Sequence, residues 1–179
     1  MTIKEKAQKS FDTLKGKFGY KNTMAAPRLM KVIVSTGTGS AMKRDNKRNE
    51  LVSDRLTKIT GQKPSLRGAK QSIASFKIRQ GDPVGVSVTL RGPRMYEFLE
   101  KFFNIAIPRT KDFRGFNATA VDAMGNISLG LKEHTIFPET ADEDIKDVFS
   151  LSITIVSSAK TKAEGTAFFE LLGVPFKKA

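Results

Sequence analysis

The sequence predicts an α+β fold: a mostly antiparallel sheet with helices packed on one side and a long basic loop, in a single domain over residues 1–179. Three patterns predict it. Apolar residues recur at helical spacing in four segments, while in others they alternate with small or polar residues at the period of a strand. The two kinds of segment are mixed along the chain and punctuated by glycine and proline, with no repeat, low-complexity tract or linker between them. A chain of 179 residues buries a real core without cross-links, and it has no cysteine to make them.

Each element has a local reason. Thr2 and Glu5 have the spacing of a capping box, and Ile3, Ala7, Phe11, Leu14 and Phe18 share one face of a first helix that Gly19 ends. Leu29 to Ser35 is β-branched and short, hence a strand. A second helix is expected from about Ala41 to Thr60, with Leu51, Val52, Leu56 and Ile59 inward and Gly61 past its end. Pro64 to Arg67 suits a short edge strand, because a leading proline is tolerated there. Val84, Val86, Val88 and Leu90 alternate with Gly85, Ser87, Thr89 and Arg91, a half-buried strand whose other face is flat, small and polar. After Gly92-Pro93 a third helix turns Met95, Phe98, Leu99, Phe102 and Phe103 inward, with Pro108 beyond its end. Phe116–Val121 and Ile127–Leu131 are expected to pair as strands across a tip containing Gly125 and Asn126. Leu151, Ile153 and Ile155 make the last strand. Thr161 and Glu164 are expected to form another capping box, opening a last helix that carries Phe168, Leu171 and Leu172 inward and stops at Gly173.

Charge narrows the function. The chain carries 31 Lys/Arg against 18 Asp/Glu, a formal +13. Residues 1–120 hold +16 of it and residues 121–179 hold −3. So uneven a distribution marks a surface for a polyanion rather than a device for solubility. The amphipathic start has no apolar core of a signal peptide, and no run is long enough to span a bilayer, so no membrane partner is expected; the lack of cysteine permits a cytoplasmic life. A peripheral membrane protein using its basic first helix is a rival reading.

Catalytic patterns fail on inspection. The stretch at residues 37–44 follows a strand and begins Gly-Thr-Gly, as a nucleotide-binding enzyme would require. The phosphate-loop pattern needs glycine, lysine and a hydroxyl where Met42, Lys43 and Arg44 stand, and the dinucleotide pattern meets Met42 at its third glycine. A strand-to-helix turn with Ser40 near the cap is the simpler reading, and the nucleotide-binding enzyme remains the alternative. His134, the sole histidine, sits at an expected strand edge without a clear partner and is read as structural. The acids of 139–147 lack the alternating spacing of a metal loop, so neither metal nor cofactor is expected.

What remains is the basic middle. Lys70, Lys77 and Arg79 surround Ser72, Ser75 and Phe76 in an aperiodic segment that reads as a long loop or a splayed hairpin, with Ile73 and Ile78 pinning its base. Arg91 and Arg94 follow the polar strand; Arg109, Lys111 and Arg114 crowd the next loop. Cations match phosphates, and small polar residues let RNA approach closely enough to meet its 2′-hydroxyls. Phe76 stacks on a base or anchors the loop in the core, and for a single aromatic the core is the expectation. These residues point to salt-sensitive nucleic-acid binding without naming the nucleic acid.

Two long blocks carry a resemblance: "GQKPSLRGAKQSIASFKIRQGDPVGVSVTLRGPRMYEFLEKF", and "IPRTKDFRGFN" followed by "GNISLGLKEHTIFPE". With a closing "VPFKK" they resemble the bacterial form of the large-subunit ribosomal protein numbered five, the family that binds 5S ribosomal RNA, from roughly Phe11 to Lys178. The resemblance implies a structural constituent of the large ribosomal subunit, placed in the central protuberance between 5S rRNA and large-subunit rRNA. It implies other 5S-associated proteins as neighbours and a basic small-subunit head protein across the intersubunit bridge, toward which the acids 139–147 would turn. Ser35, Gln62, Thr89 and Arg91 fall where the family contacts 5S rRNA; Ser35 replaces the usual asparagine, and Met124 stands where arginine is common. Lys70, Ser72, Phe76, Lys77 and Arg79 fall in the loop within Gly68–Gly81 that faces peptidyl-site tRNA.

Overall fold

The computed structural model describes residues 2–39, 47–111, 113–140 and 147–177. In chain order these form α1 (Ile3–Gln8), α2 (Ser10–Phe18), β1 (Leu29–Gly37), α3 (Arg48–Thr60), β2 (Ser65–Gly68), β3 (Pro83–Leu90), α4 (Pro93–Lys101), α5 (Ile107–Arg109), β4 (Ile127–Leu131), β5 (Leu151–Ser157) and α6 (Lys162–Leu172). The strands make a five-stranded antiparallel sheet in the order β2-β3-β1-β5-β4, so the α+β expectation holds. Two compact units divide the chain: residues 1–32, 91–129 and 153–179 in one, residues 33–90 and 130–152 in the other.

In the first unit, the capping box at Thr2 and Glu5 forms with both hydrogen bonds, at 3.2 and 3.1 Å. The single helix expected over 3–18 is instead two, broken at Lys9, where ψ is 1°. The break turns Ser10 inward with Ile3 and Leu14, and its hydroxyl donates to Pro27 O at 3.2 Å. Phe11 and Phe18 stay only half-buried, because the kink takes them off the inward face. α4 buries Met95, Phe98 and Leu99 and then runs on through a π-helical segment, Phe102–Ala106, into α5. Pro108 therefore lies inside a continuous helical run rather than beyond its end. The wider turn, in which Ile107 N–H bonds Phe102 O, is where the helix changes register, and proline is tolerated in the first turn after it.

The expected strand Phe116–Val121 does not form. Phe116 bridges Phe176 near the end of the chain, residues Ala118–Ala120 make a 3₁₀ turn, and only Val121 meets Ile127. The alternating apolar positions of "NATA" are only the alanines Ala118 and Ala120, which have little side chain to bury in holding a second strand against β4. At the cap of α6, Thr161 accepts from Glu164 N–H, but the Glu164 carboxylate takes Lys160 N–H at 2.7 Å and the Tyr20 hydroxyl rather than closing a box. Burial, with Glu164 beside it, pushes the Tyr20 hydroxyl well above its ordinary range.

In the second unit α3 packs on β3, burying Val52, Leu56 and Ile59 against the apolar face that carries Val86, Val88 and Leu90. The first turns expected for this helix, 41–46, lie outside the described residues. Arg48, at its N-terminus, binds the Asp147 carboxylate at 3.1 Å and the carbonyls of Asp147 and Val148 at 3.1 and 3.0 Å. His134 has partners after all: it is fully buried, its ring stacks on Phe149 at 4.0 Å, and its Nδ1 accepts Phe149 N–H at 3.3 Å.

Gly125 and Gly165 touch in the first unit. A Cβ built on Gly165 would lie 2.5 Å from Gly125 Cα, whereas one on Gly16, inside α2, would meet nothing within 4 Å. Gly165→Ala should destabilise the protein by about 1–3 kcal/mol, as overpacking does, and Gly16→Ala should stabilise it by about 0.5–1 kcal/mol. Urea unfolding of the two variants checks the opposite signs.

Candidate nucleic-acid interface

The polar face of β3 is built by the pairing of two strands. β2 runs antiparallel to β3 with Ser65 opposite Ser87 and Arg67 opposite Gly85. Opposed residues share a face of the sheet, so Ser65, Arg67, Gly85, Ser87 and Thr89 lie together on the side away from Val86, Val88 and Leu90. This face is less open than its sequence implies. Ser87 is only 7% exposed, with Arg67 Nε donating to its Oγ at 2.7 Å, and Gly85 is buried beside β1, where a Cβ on it would lie 3.1 Å from Thr36 O. Thr89 stays half-exposed, and its hydroxyl has no partner among the described residues.

The structure brings Gln62 and Thr89 together. Just past the αL residue Gly61 that ends α3, the Gln62 amide donates to Thr89 O at 3.3 Å, leaving its own oxygen to accept. Ser35 makes no hydrogen bond to either. It lies instead with Lys132, Ser150 and Ser152 at a shallow depression of about 480 Å³. Arg91 follows β3 in the chain, is exposed, and belongs to the other compact unit. Sequence reading gave Arg67 a place on an edge strand and nothing more. Its position over the polar face is set by register, a pairing across the 69–82 connection that no spacing within β2 records.

The glycine turn is absorbed into the sheet. β1 extends through Gly37, Thr38 N–H donates to Val84 O at 2.9 Å, and neither Gly37 nor Gly39 has a positive φ. A backbone N–H spent on β3 cannot cradle a phosphate. Ser40 and the basic residues to Arg44 lie outside the described residues.

The segment after β2 is a small hairpin rather than a loose loop. Ala69 exchanges hydrogen bonds with Asp82 and Gly81, at 2.8 and 3.0 Å. Ile73 and Ile78 then bond each other through both backbone pairs, at 2.9 and 3.2 Å. They tie the hairpin by backbone and do not anchor it in a core, since Ile73 is 44% exposed. Ser72 is part of the frame: its Oγ accepts Gln80 N–H at 2.9 Å. At the tip Ala74–Phe76 make a 3₁₀ turn and Lys77 closes it at φ 52°, the one non-glycine residue with positive φ among those described. Lys70, Ser72, Phe76, Lys77 and Arg79 are all exposed.

The core reading of Phe76 is thus corrected: its ring is 58% exposed. The tip turn spans too few residues to fold the ring back under the hairpin. Phe76→Ala should therefore change folding stability by less than about 0.5 kcal/mol, as exposed substitutions do. Phe137→Ala, which empties a fully buried site, should cost about 3–5 kcal/mol. Thermal and urea melts of the two variants distinguish an exposed aromatic from a core one.

Three further features bound the site's chemistry. Among the described residues no group of three or more His, Asp or Glu side chains could hold a metal ion. Met124 is 64% exposed at the turn before β4. Of the acidic run, Asp147 is tied to Arg48, and residues 141–146 lie outside the described residues.

Comparison with known proteins accounts for nearly the whole chain. Residues 22–79 match the family model of ribosomal protein L5, and residues 83–176 match the model of the same ribosomal family's C-terminus. The large ribosomal subunit protein uL5 of Thermoanaerobacter sp. (strain X514) is 49% identical over 177 residues, 98% of either chain. The uL5 proteins of Desulfatibacillum aliphaticivorans and Alkalilimnicola ehrlichii are 49% and 48% identical over 165 residues, in each case 92% of either chain. The two family models together cover β1 to β5 and α3 to α6, and the chain belongs to the ribosomal protein L5 family.

Proposed function

We propose that the chain holds 5S rRNA in the large ribosomal subunit through the polar face of β3 and the end of α3, and reaches peptidyl-site tRNA with its 68–81 hairpin. Membership of the family makes it a structural, rRNA-associated component of the large subunit and not an enzyme. In bacteria, the source of its relatives, such a component is cytoplasmic. No helix among the described residues is long and apolar enough to cross a membrane.

One observation carries the choice of surface. No carboxylate occurs between Asp54 and Asp82, or between Asp82 and Glu97. β2, the hairpin and β3 therefore present cations and hydroxyls with only Asp82 to oppose phosphate, and Asp82 is occupied by Arg79 N–H at 2.8 Å. Gln62 and Thr89 are hydrogen-bonded into that surface, and Ser35 adds a hydroxyl on β1. Arg91 supplies a further exposed cation just beyond β3. Large-subunit rRNA, other 5S-associated proteins and a basic small-subunit head protein facing the acids 139–147 complete the proposed surroundings.

Binding to 5S rRNA should be dominated by phosphate contacts. With about five such contacts, log K falls against log salt with a slope of about −3.5 to −4.5. Thr89→Val should weaken affinity by about 0.5–1.5 kcal/mol with folding intact, since it removes one hydroxyl hydrogen bond. Filter binding across a salt series tests both, and a slope near zero overturns the phosphate account.

The hairpin separates from the 5S surface in its own test. Ile73 and Ile78 close it onto itself, so deleting Ser72–Arg79 removes a self-contained unit and rejoins Gln71 to Gln80. The deletion should leave 5S binding nearly intact and speed peptidyl-site tRNA release from reconstituted ribosomes. Loss of 5S binding with tRNA release unchanged would reassign the hairpin to 5S rRNA.

A further inference from the structure

We propose that Arg67 and Ser87 form a phosphate-binding fork on the β2–β3 face: Ser87 orients the guanidinium, and the guanidinium's two terminal nitrogens take an RNA phosphodiester. The inference rests on the reading of this face as an RNA surface and adds to it a specific contact and the residue that positions it.

Arg67 is exposed, yet its orientation is fixed. Its Nε–H donates to Ser87 Oγ at 2.7 Å, and Ser87 is itself 7% exposed on the central side of the β2–β3 ladder. A guanidinium has five N–H donors. The bond to Ser87 uses one, and the four on the terminal nitrogens have no partner among the described residues. With Nε committed, the group offers the end-on pair of parallel N–H bonds that matches two oxygens of a phosphate.

The surroundings suit an incoming backbone. Arg67 stands opposite Gly85 and on the same face as Ser65 and Ser87, so its neighbours across the ladder are small and uncharged. Ser65 is held in turn, its hydroxyl donating to Ser87 O at 3.2 Å. The register shifts between Arg67 and Gly68, where Gly68 pairs with Pro83 and leaves Val84 as an extra residue on β3. Such irregularities bend a strand and re-aim the side chain beside them. No salt bridge engages Arg67 among the described residues, so its charge is not already neutralised by the protein.

Ser87 acts through Arg67, which makes it a positioning residue with a distinct signature. Removing its hydroxyl changes no charge, yet frees the guanidinium to sample orientations that miss the phosphate. Its effect must therefore disappear once Arg67 is gone.

The test measures 5S rRNA binding by the full-length protein across a KCl series, with thermal melts of every variant. Arg67→Gln should weaken binding about tenfold, the loss of a charge-assisted hydrogen-bonded contact, and flatten the log–log salt slope by about 0.7–0.9, the signature of one phosphate. Arg67→Lys should keep most of the slope while losing part of the affinity, because the charge remains without the fork. Ser87→Ala should weaken binding about threefold in the wild-type background and have no effect in the Arg67→Gln background. An unchanged slope and affinity in Arg67→Gln overturns the proposal while leaving 5S binding itself standing. Additive effects of the two substitutions overturn the positioning role of Ser87. A wild-type chain that fails to bind 5S rRNA overturns the reading beneath both.

Discussion

β3 is hydrogen-bonded along both edges, to β2 on one side and β1 on the other, and the candidate interface depends on that double pairing. A strand has two faces, and a one-residue slip exchanges them. Here the slip is forbidden by burial. Val86, Val88 and Leu90 are at most 2% exposed beneath α3, and fully burying each contributes about 1.5–3 kcal/mol. With the apolar set held down, Gly85, Ser87 and Thr89 have no choice but the opposite face. The same pairing spends Thr38 N–H on Val84 O, which turns a potential phosphate cradle into a length of sheet.

Two arginines of the unit that contains β3 are held in place by the fold. Arg67 is pinned by Ser87 and Arg48 by Asp147 and two carbonyls. The hairpin tip rests on the paired backbones of Ile73 and Ile78, and Lys77 holds a left-handed conformation there. That conformation disfavours a residue with a Cβ by about 1–2 kcal/mol, so the surrounding hydrogen bonds must over-determine it. Ordering cations before RNA arrives reduces the entropy that binding would otherwise lose. A flexible basic loop would offer the same charge and less specificity of contact.

Each compact unit has its own points of tight packing. In the first, backbone meets backbone at Gly125 and Gly165, and a helix passes through a π-turn to keep Phe102 and Ala106 buried on one side. In the second, polar side chains complete the interior: His134 stacks on Phe149 and accepts its N–H, and Thr140 donates to His134 O at 3.1 Å. A histidine so committed has a structural reason to be present, and it needs no catalytic one.

The sequence by itself determined whatever depends on residues near one another in the chain. The capping box at Thr2, the αL glycines 19, 61 and 173, the alternation of β3 and β5, and the amphipathic stripe of α3 are set by neighbours within a turn or two. α6, by contrast, buries Phe169 with Phe168 and Leu172 and leaves the expected Leu171 half-exposed. The charge asymmetry was equally legible, since charge needs no partner to be counted. Of the candidate site, the alternation that puts Thr89 on a polar strand face and the cations of the hairpin were legible in the chain, whereas Gln62 entered only through the family resemblance. The tertiary structure decided everything that required a choice of partner across a connection. It placed Arg67 over Ser87, gave Phe116 to Phe176 instead of β4, kept Pro108 inside a helical run, and left Phe76 outside the core. Propensity and period describe one segment at a time. Which face a second segment covers depends on register, on the volume of side chains from elsewhere and on the hydrogen bonds still unclaimed, and these exist only once the chain has folded.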